Sequence, residues 1–149
     1  GFLLGFQADT ANGSLQPLMT RDAVLPLVAP LSKAKAAGGL AALVAAEPAR
    51  FTAADRLQEV PTERSAALVS TFDAAPVKRA EFLAELNGME ATVDRTDGLR
   101  MTLVDGRIVH LRPSGNAPEL RLYVEANSAA TAQETLTAGL MALRSALGL

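Results

Sequence analysis

Between residues 99 and 126 the apolar residues recur at every second position, and no other feature of the sequence restricts the fold so tightly. Leu99–Val104, Arg107–Arg112 and Leu120–Ala126 each alternate apolar with polar side chains, and a period of two sends successive side chains to opposite faces of a strand. Asp105-Gly106 separates the first two runs by two residues, the strongest short-range hairpin signal, and Asp97-Gly98 marks the turn before them. The predicted strands therefore pair antiparallel, with a fourth near Ala91–Arg95. One sheet face collects Leu99, Met101, Leu103, Val109, Leu111, Leu120, Leu122 and Val124. The other collects Arg100, Thr102, His110, Arg112, Arg121, Tyr123 and Glu125.

Helices are expected on both sides of this stretch. Thr62 is placed to cap a helix carrying Ala66, Leu68, Val69 and Phe72, and Val77–Leu86 continues as a second helical piece closed by Asn87-Gly88. Ser128 opens a long helix with a stripe of Leu136, Leu140, Leu143 and Leu147, closed by Gly148. Two amphipathic helices then cover the apolar face of a four-stranded antiparallel sheet, an α+β arrangement. Ahead of this domain, Phe2–Phe6 reads as a strand, and Asp9, Asn12, Gly13 and Ser14 as a turn or loop. Thr20 is then placed to cap a helix with Asp22 in its first turn and Val24, Leu27, Val28 and Leu31 along one face. Gly38-Gly39 stops that helix, and a short one follows from Leu40 to Ala46. Residues 47–61 lose all apolar period and read as a linker or hinge. The expected organisation is thus two structural units, 1–46 and 62–149, joined by the linker 47–61.

Composition excludes several classes. The 149 residues hold 14 Lys plus Arg against 16 Asp plus Glu, a net charge of −2, which disfavours a dedicated nucleic-acid partner. With no Cys, disulfide scaffolds, thiolate metal sites and thiol catalysis are ruled out, and a cytoplasmic location fits. The longest weakly polar run, residues 38–46, is far shorter than the ~20 apolar residues that a membrane helix needs. At 49% hydrophobic but 4% aromatic residues, the core must be Ala, Leu and Val. Asp22 and Asp55 have no partner carboxylate at a useful spacing, so no metal site is expected in this chain. His110 reads as a hydrogen-bonded structural residue, and Tyr123 as packing with its hydroxyl at the surface.

One segment carries chemistry, the loop Arg112-Pro113-Ser114-Gly115-Asn116-Ala117-Pro118 between the last two strands. Pro113 fixes the entry, Gly115 offers a backbone path closed to side chains, and the amides of Ser114, Gly115 and Asn116 are placed to converge on an anion. Arg112 and Arg121 flank the loop with planar forks that suit phosphate oxygens. Spacing alone leaves two readings open: a phosphate cradle, or an ordinary turn beside solvated arginines.

The run Asp97-Gly98-Leu99-Arg100, Asp105-Gly106, Leu111 through Arg121, and Tyr123-Val124-Glu125-Ala126 closely resembles the C-terminal domain of the α-D-phosphohexomutases, in particular the bacterial phosphomannomutase/phosphoglucomutase group. Gly1-Phe2-Leu3-Leu4-Gly5 and Leu18 through Pro26 resemble the end of the third domain of that family. Asn116-Ala117 departs from the Thr-Glu of many members, keeping a polar side chain but losing the acid, which leaves the sugar preference open.

The resemblance implies a four-domain enzyme whose last domain has a TATA-binding-protein-like fold. A phosphoserine in the first domain transfers its phosphoryl group to a hexose phosphate, and the C-terminal loop anchors the phosphate that is not reacting. That role falls here on Arg112, Ser114, Gly115 and Asn116, with Arg121 in support. The family's serine loop, its magnesium-binding Asp-Gly-Asp loop and its Glu-x-Asn-Gly sugar loop are not found in these residues, so no catalytic residue and no metal ligand is expected in this chain. The expected partners are a phosphorylated hexose and the remaining domains of the parent enzyme. Two alternatives remain: a phosphoglucosamine mutase of the same family, and a non-enzymatic protein-binding module using the open sheet face.

Overall fold

The computed structural model describes residues 2–149, which divide after Ala49 into two units; Gly1, part of the N-terminal resemblance, lies outside the described residues. The first unit begins with β1 (Phe2–Leu4), followed by the small hairpin of β2 (Ala8–Thr10) and β3 (Gly13–Leu15), and by β4 (Leu18–Asp22), which pairs antiparallel with β1. The expected turn around Asn12 is therefore the tip of a hairpin, with the Thr10 hydroxyl donating to the Gly13 carbonyl at 2.7 Å. Helices α1 (Leu25–Ala36) and α2 (Leu40–Ala45) complete the unit. Thr20 does not cap α1, because β4 continues through Asp22; the Asp22 carboxylate instead accepts from the Leu25 amide, just outside the first turn. The helix ends where Gly38 and Gly39 take φ of 85° and 125°, closed to other residues.

The second unit is one antiparallel sheet covered by helices on a single face. Its elements are β5 (Phe51–Gln58), α3 (Thr62–Ala74), α4 (Pro76–Ala84), β6 (Glu90–Asp94), β7 (Leu99–Leu103), β8 (Ile108–Pro113), β9 (Glu119–Ala126) and α5 (Ala129–Leu147), with strand order β5-β9-β8-β7-β6. The α+β class stands, but the sheet has five strands rather than four. The extra one, β5, occupies the segment expected as a linker and pairs with β9 along its whole length, from Phe51 opposite Ala126 to Gln58 opposite Glu119. It hides from a periodicity argument because it is an edge strand: Asp55, in register with the buried Leu122, puts an exposed charge where alternation calls for an apolar residue.

Three helices, not two, form the covering layer. Pro76 lacks an amide hydrogen and forces the preceding Ala75 into an extended conformation (φ −119°, ψ 94°), which separates α3 from α4. At the start of α3 the capping position is Pro61, so Thr62 is not the cap; its carbonyl instead receives the buried Ser65 hydroxyl at 2.9 Å. The α5 expectations hold, with the Ser128 side chain accepting from the Thr131 amide and Gly148 left-handed at φ 65°.

The core lies between sheet and helices. Leu99, Met101, Leu103, Val109, Leu111, Leu120, Leu122 and Val124 face Phe72, Phe82, Leu83, Leu86, Leu136 and Leu143, and Phe72 and Phe82 stack at 5.0 Å. Between β7 and β8 the connection has three residues rather than two: Gly106 donates to Leu103 and Leu103 to Arg107, with Gly106 at φ 82°, the geometry of a type I turn closed by a left-handed glycine. No helix is long and apolar enough to cross a membrane among the described residues.

Candidate functional site

The β8–β9 connection, residues 114–118, projects from the end of the sheet's two central apolar strands, and its base is rigid. The Ser114 amide donates to the Glu119 carbonyl at 3.0 Å, the Glu119 amide to the Ala117 carbonyl at 2.8 Å, and the Val60 amide, just past β5, to the Pro118 carbonyl at 3.0 Å. Ser114 is buried at 3% exposure, and its hydroxyl donates to the Asn116 side-chain oxygen at 3.0 Å, which directs the Asn116 amide nitrogen away as a spare donor. The Ser114 amide is thus consumed within the loop and cannot face a ligand. The amides of Gly115 and Asn116 have no partner among the described residues and are left as open donors.

Gly115 does not play its expected part. It lies outside the positive-φ region, and a Cβ placed on it meets nothing within 4 Å. The glycine that backbone geometry does require is Gly98, at φ 83°, where a Cβ would stand 2.4 Å from the Leu111 carbonyl oxygen. That close approach seats the Asp97 turn against β8 immediately before the loop.

Register assembles the charges. Arg112 on β8 stands opposite Arg121 on β9, which in turn stands opposite Arg56 on β5, so three guanidinium groups run in a row across adjacent strands. Like charges facing one another across strands destabilise a sheet unless something of opposite sign intervenes. Here Asp97 approaches Arg112 (Nε to Oδ1, 3.0 Å), while Glu119 stands between the other two, 3.3 Å from Arg56 and 3.3 Å from Arg121. Tyr123 and then Glu119 raise the Arg121 pKa further, so that group is permanently charged. Beside this row lies a hollow of 440 Å³ lined by Ala54, Asp55, Arg56, Arg121 and Tyr123.

The remaining polar residues brace this face. The His110 ring nitrogen Nε2 bonds the Asp97 carbonyl and therefore carries the proton, and its ring lies 5.5 Å from that of Tyr123. Arg100 reaches Glu125 at 3.4 Å. Among the described residues no three metal-ligating side chains gather in one place.

Arg112 and Arg121 thus stand opposite each other at the strand ends that flank the loop holding Ser114, Gly115 and Asn116. Arg56 and Glu119 were not expected there. Arg56 lay in the presumed linker, and the only sequence signal for it was the cross-strand register that β5 itself creates.

Comparison with known proteins bears on the family. A family model described as phosphoglucomutase/phosphomannomutase, C-terminal domain, matches residues 73–138. Over 148 residues, 99% of the chain, the sequence is 40% identical to a phosphomannomutase of Sinorhizobium fredii (strain NBRC 101917 / NGR234). It is 37% identical over 151 residues to a phosphomannomutase of Salmonella muenchen. The chain spans 31% of the length of each of these curated relatives.

Proposed function

We propose that this chain, whose residues 73–138 match the C-terminal domain of the phosphoglucomutase/phosphomannomutase family, is the C-terminal part of an enzyme interconverting hexose 6-phosphates and hexose 1-phosphates. Residues 112–118 anchor whichever phosphate of the sugar is not reacting. The observation that carries this reading is the meeting of Arg112 and Arg121, opposite each other in register, with a loop whose Gly115 and Asn116 amides lack partners among the described residues. A dianion placed there receives two planar forks and two backbone donors, each charge-assisted bond contributing about 1.5–3 kcal/mol before desolvation.

Chemistry at the sugar belongs elsewhere in the parent enzyme. The magnesium that the family resemblance implies finds no donor set among the described residues, and would be held by residues outside this stretch. What this domain supplies is binding energy remote from the reacting atoms, which accelerates a reaction when it fixes the reacting group in place. Residues 1–46 are the end of the preceding α/β domain in this reading. In support, the α1 face carried by Val24, Leu27, Val28 and Leu31 is real but exposed, and Leu4 and Ala34 are the only buried apolar residues described before Ala49. An apolar stripe without a cover calls for further structure against it. Such a sugar-phosphate enzyme would work in the cytoplasm.

The test is binding of glucose 6-phosphate by calorimetry. Arg112→Ala should raise the Kd at least tenfold, about 1.4 kcal/mol, while leaving the unfolding midpoint nearly unchanged because the Arg112 side chain is 44% exposed. Unchanged affinity would defeat the assignment of this loop.

A further inference from the structure

The Arg56–Glu119–Arg121 arrangement is a cluster of charged groups beside the loop that the loop reading leaves unexplained. Arg56 sits on β5, two strands from Arg112, so its Cα is roughly 10 Å away at ordinary strand spacing. A guanidinium side chain reaches across much of that gap. The Glu119 carboxylate spreads its two oxygens over two cations: Oε1 to Arg56 at 3.3 Å, and Oε2 to Arg121 Nη2 at 3.3 Å and Nε at 3.4 Å. Its side chain is only 14% exposed, whereas that of Arg56 is 51% exposed and that of Arg121 34%. These contacts are long for charge-assisted bonds, which favour about 2.7–2.9 Å. Glu119 thus neutralises both arginines without satisfying either, and the 440 Å³ hollow lies open beside them.

We infer that Arg56 is a third ligand for the anchored phosphate and that Glu119 is an internal counter-ion whose hold on Arg56 and Arg121 the incoming phosphate loosens. This rests on the loop reading above and extends it to a strand outside the loop. A phosphate dianion carries more charge and more acceptor oxygens than a carboxylate, so it competes for the two guanidinium groups on favourable terms. With the ligand absent, Glu119 keeps the facing Arg56 and Arg121 charges from destabilising the sheet, while Asp97 neutralises Arg112. The two roles give opposite signs on mutation. Removing Arg56 weakens phosphate binding, and neutralising Glu119 strengthens it.

The experiment is a titration of the isotopically labelled 149-residue chain with inorganic phosphate at constant ionic strength, with chloride as the reference, following the Gly115, Asn116 and Glu119 amides. Arg56→Gln should raise the phosphate Kd about three- to tenfold, the range for a half-exposed charge-assisted contact, and Glu119→Gln should lower it. Amide dispersion away from the site serves to check that each variant is folded. If the wild-type amides shift with phosphate and Arg112→Ala abolishes the response, but Arg56→Gln leaves it intact, this inference falls while the loop reading survives. A Glu119→Gln variant that binds no more tightly than wild type overturns the counter-ion role. If phosphate moves the wild-type amides no more than chloride does, the loop reading and this inference fall together.

Discussion

Arg79 illustrates how much a single residue of this domain has to hold. It is 5% exposed on α4, donates to the Phe72 and Asp73 carbonyls at 2.8 and 3.0 Å, and forms a bidentate pair with Glu90 on β6. It therefore closes the orphan carbonyls at the end of α3 and ties the helix layer to an edge strand. Removing the cation would leave those carbonyls and a half-shielded carboxylate unpaired. Arg79→Met should lower unfolding stability by about 3 kcal/mol, the low end for a buried pair because Glu90 keeps 29% of its side chain exposed, as denaturant titration would show. The pH dependence has a definite sign. The hydrogen bond from Arg79 holds the Glu90 pKa below the ordinary range, so the pair's contribution is complete above about pH 4.3 and declines as the pH falls through the lowered value. The acid limb of the stability profile should flatten in Arg79→Met.

At the scale of elements, β5 changes the reading of the molecule most. As a linker it would contribute nothing to the core. As a strand it buries Leu57 at 1% exposure against α5 and β9, forms one edge of the sheet, and sets Arg56 opposite Arg121. Leu57→Ala should accordingly cost about 3 kcal/mol, measured by thermal or denaturant unfolding; a loss within a few tenths would mean that the strand is only loosely attached. β7, β8 and β9 were legible because each has one covered and one open face, and the pleat writes that difference into the sequence as strict alternation. β5 was not, because an edge strand with a polar rim loses the alternation, and its pairing with β9 is a non-local choice. The break between α3 and α4 was legible as two helical pieces, because Pro76 holds Ala75 in an extended conformation.

At the scale of the molecule, the two units differ in kind. Residues 50–149 close a core of 19 buried residues, among those described, drawn from four strands, three helices and the short segments holding Val60 and Leu86, whereas residues before Ala49 expose most of their apolar side chains, Met19 and Leu27 at 72% and 65% among them. Residues 50–149 alone should therefore unfold cooperatively with a stability close to that of the longer chain, and limited proteolysis should remove the first unit while sparing the second. Early cleavage inside β5 would contradict that division. The amino-acid sequence alone determined the antiparallel sheet, the helices that back it, the family resemblance, and the loop with Arg112, Ser114, Asn116 and Arg121, because turn chemistry, hydrophobic period and motif order are all local. Only the tertiary structure decided that the sheet has a fifth strand, that Gly98 rather than Gly115 is sterically obligatory, and that Arg56 and Glu119 lie beside Arg121. Each of those depends on which backbone lies beside which, a pairing set by the register between segments distant in the chain.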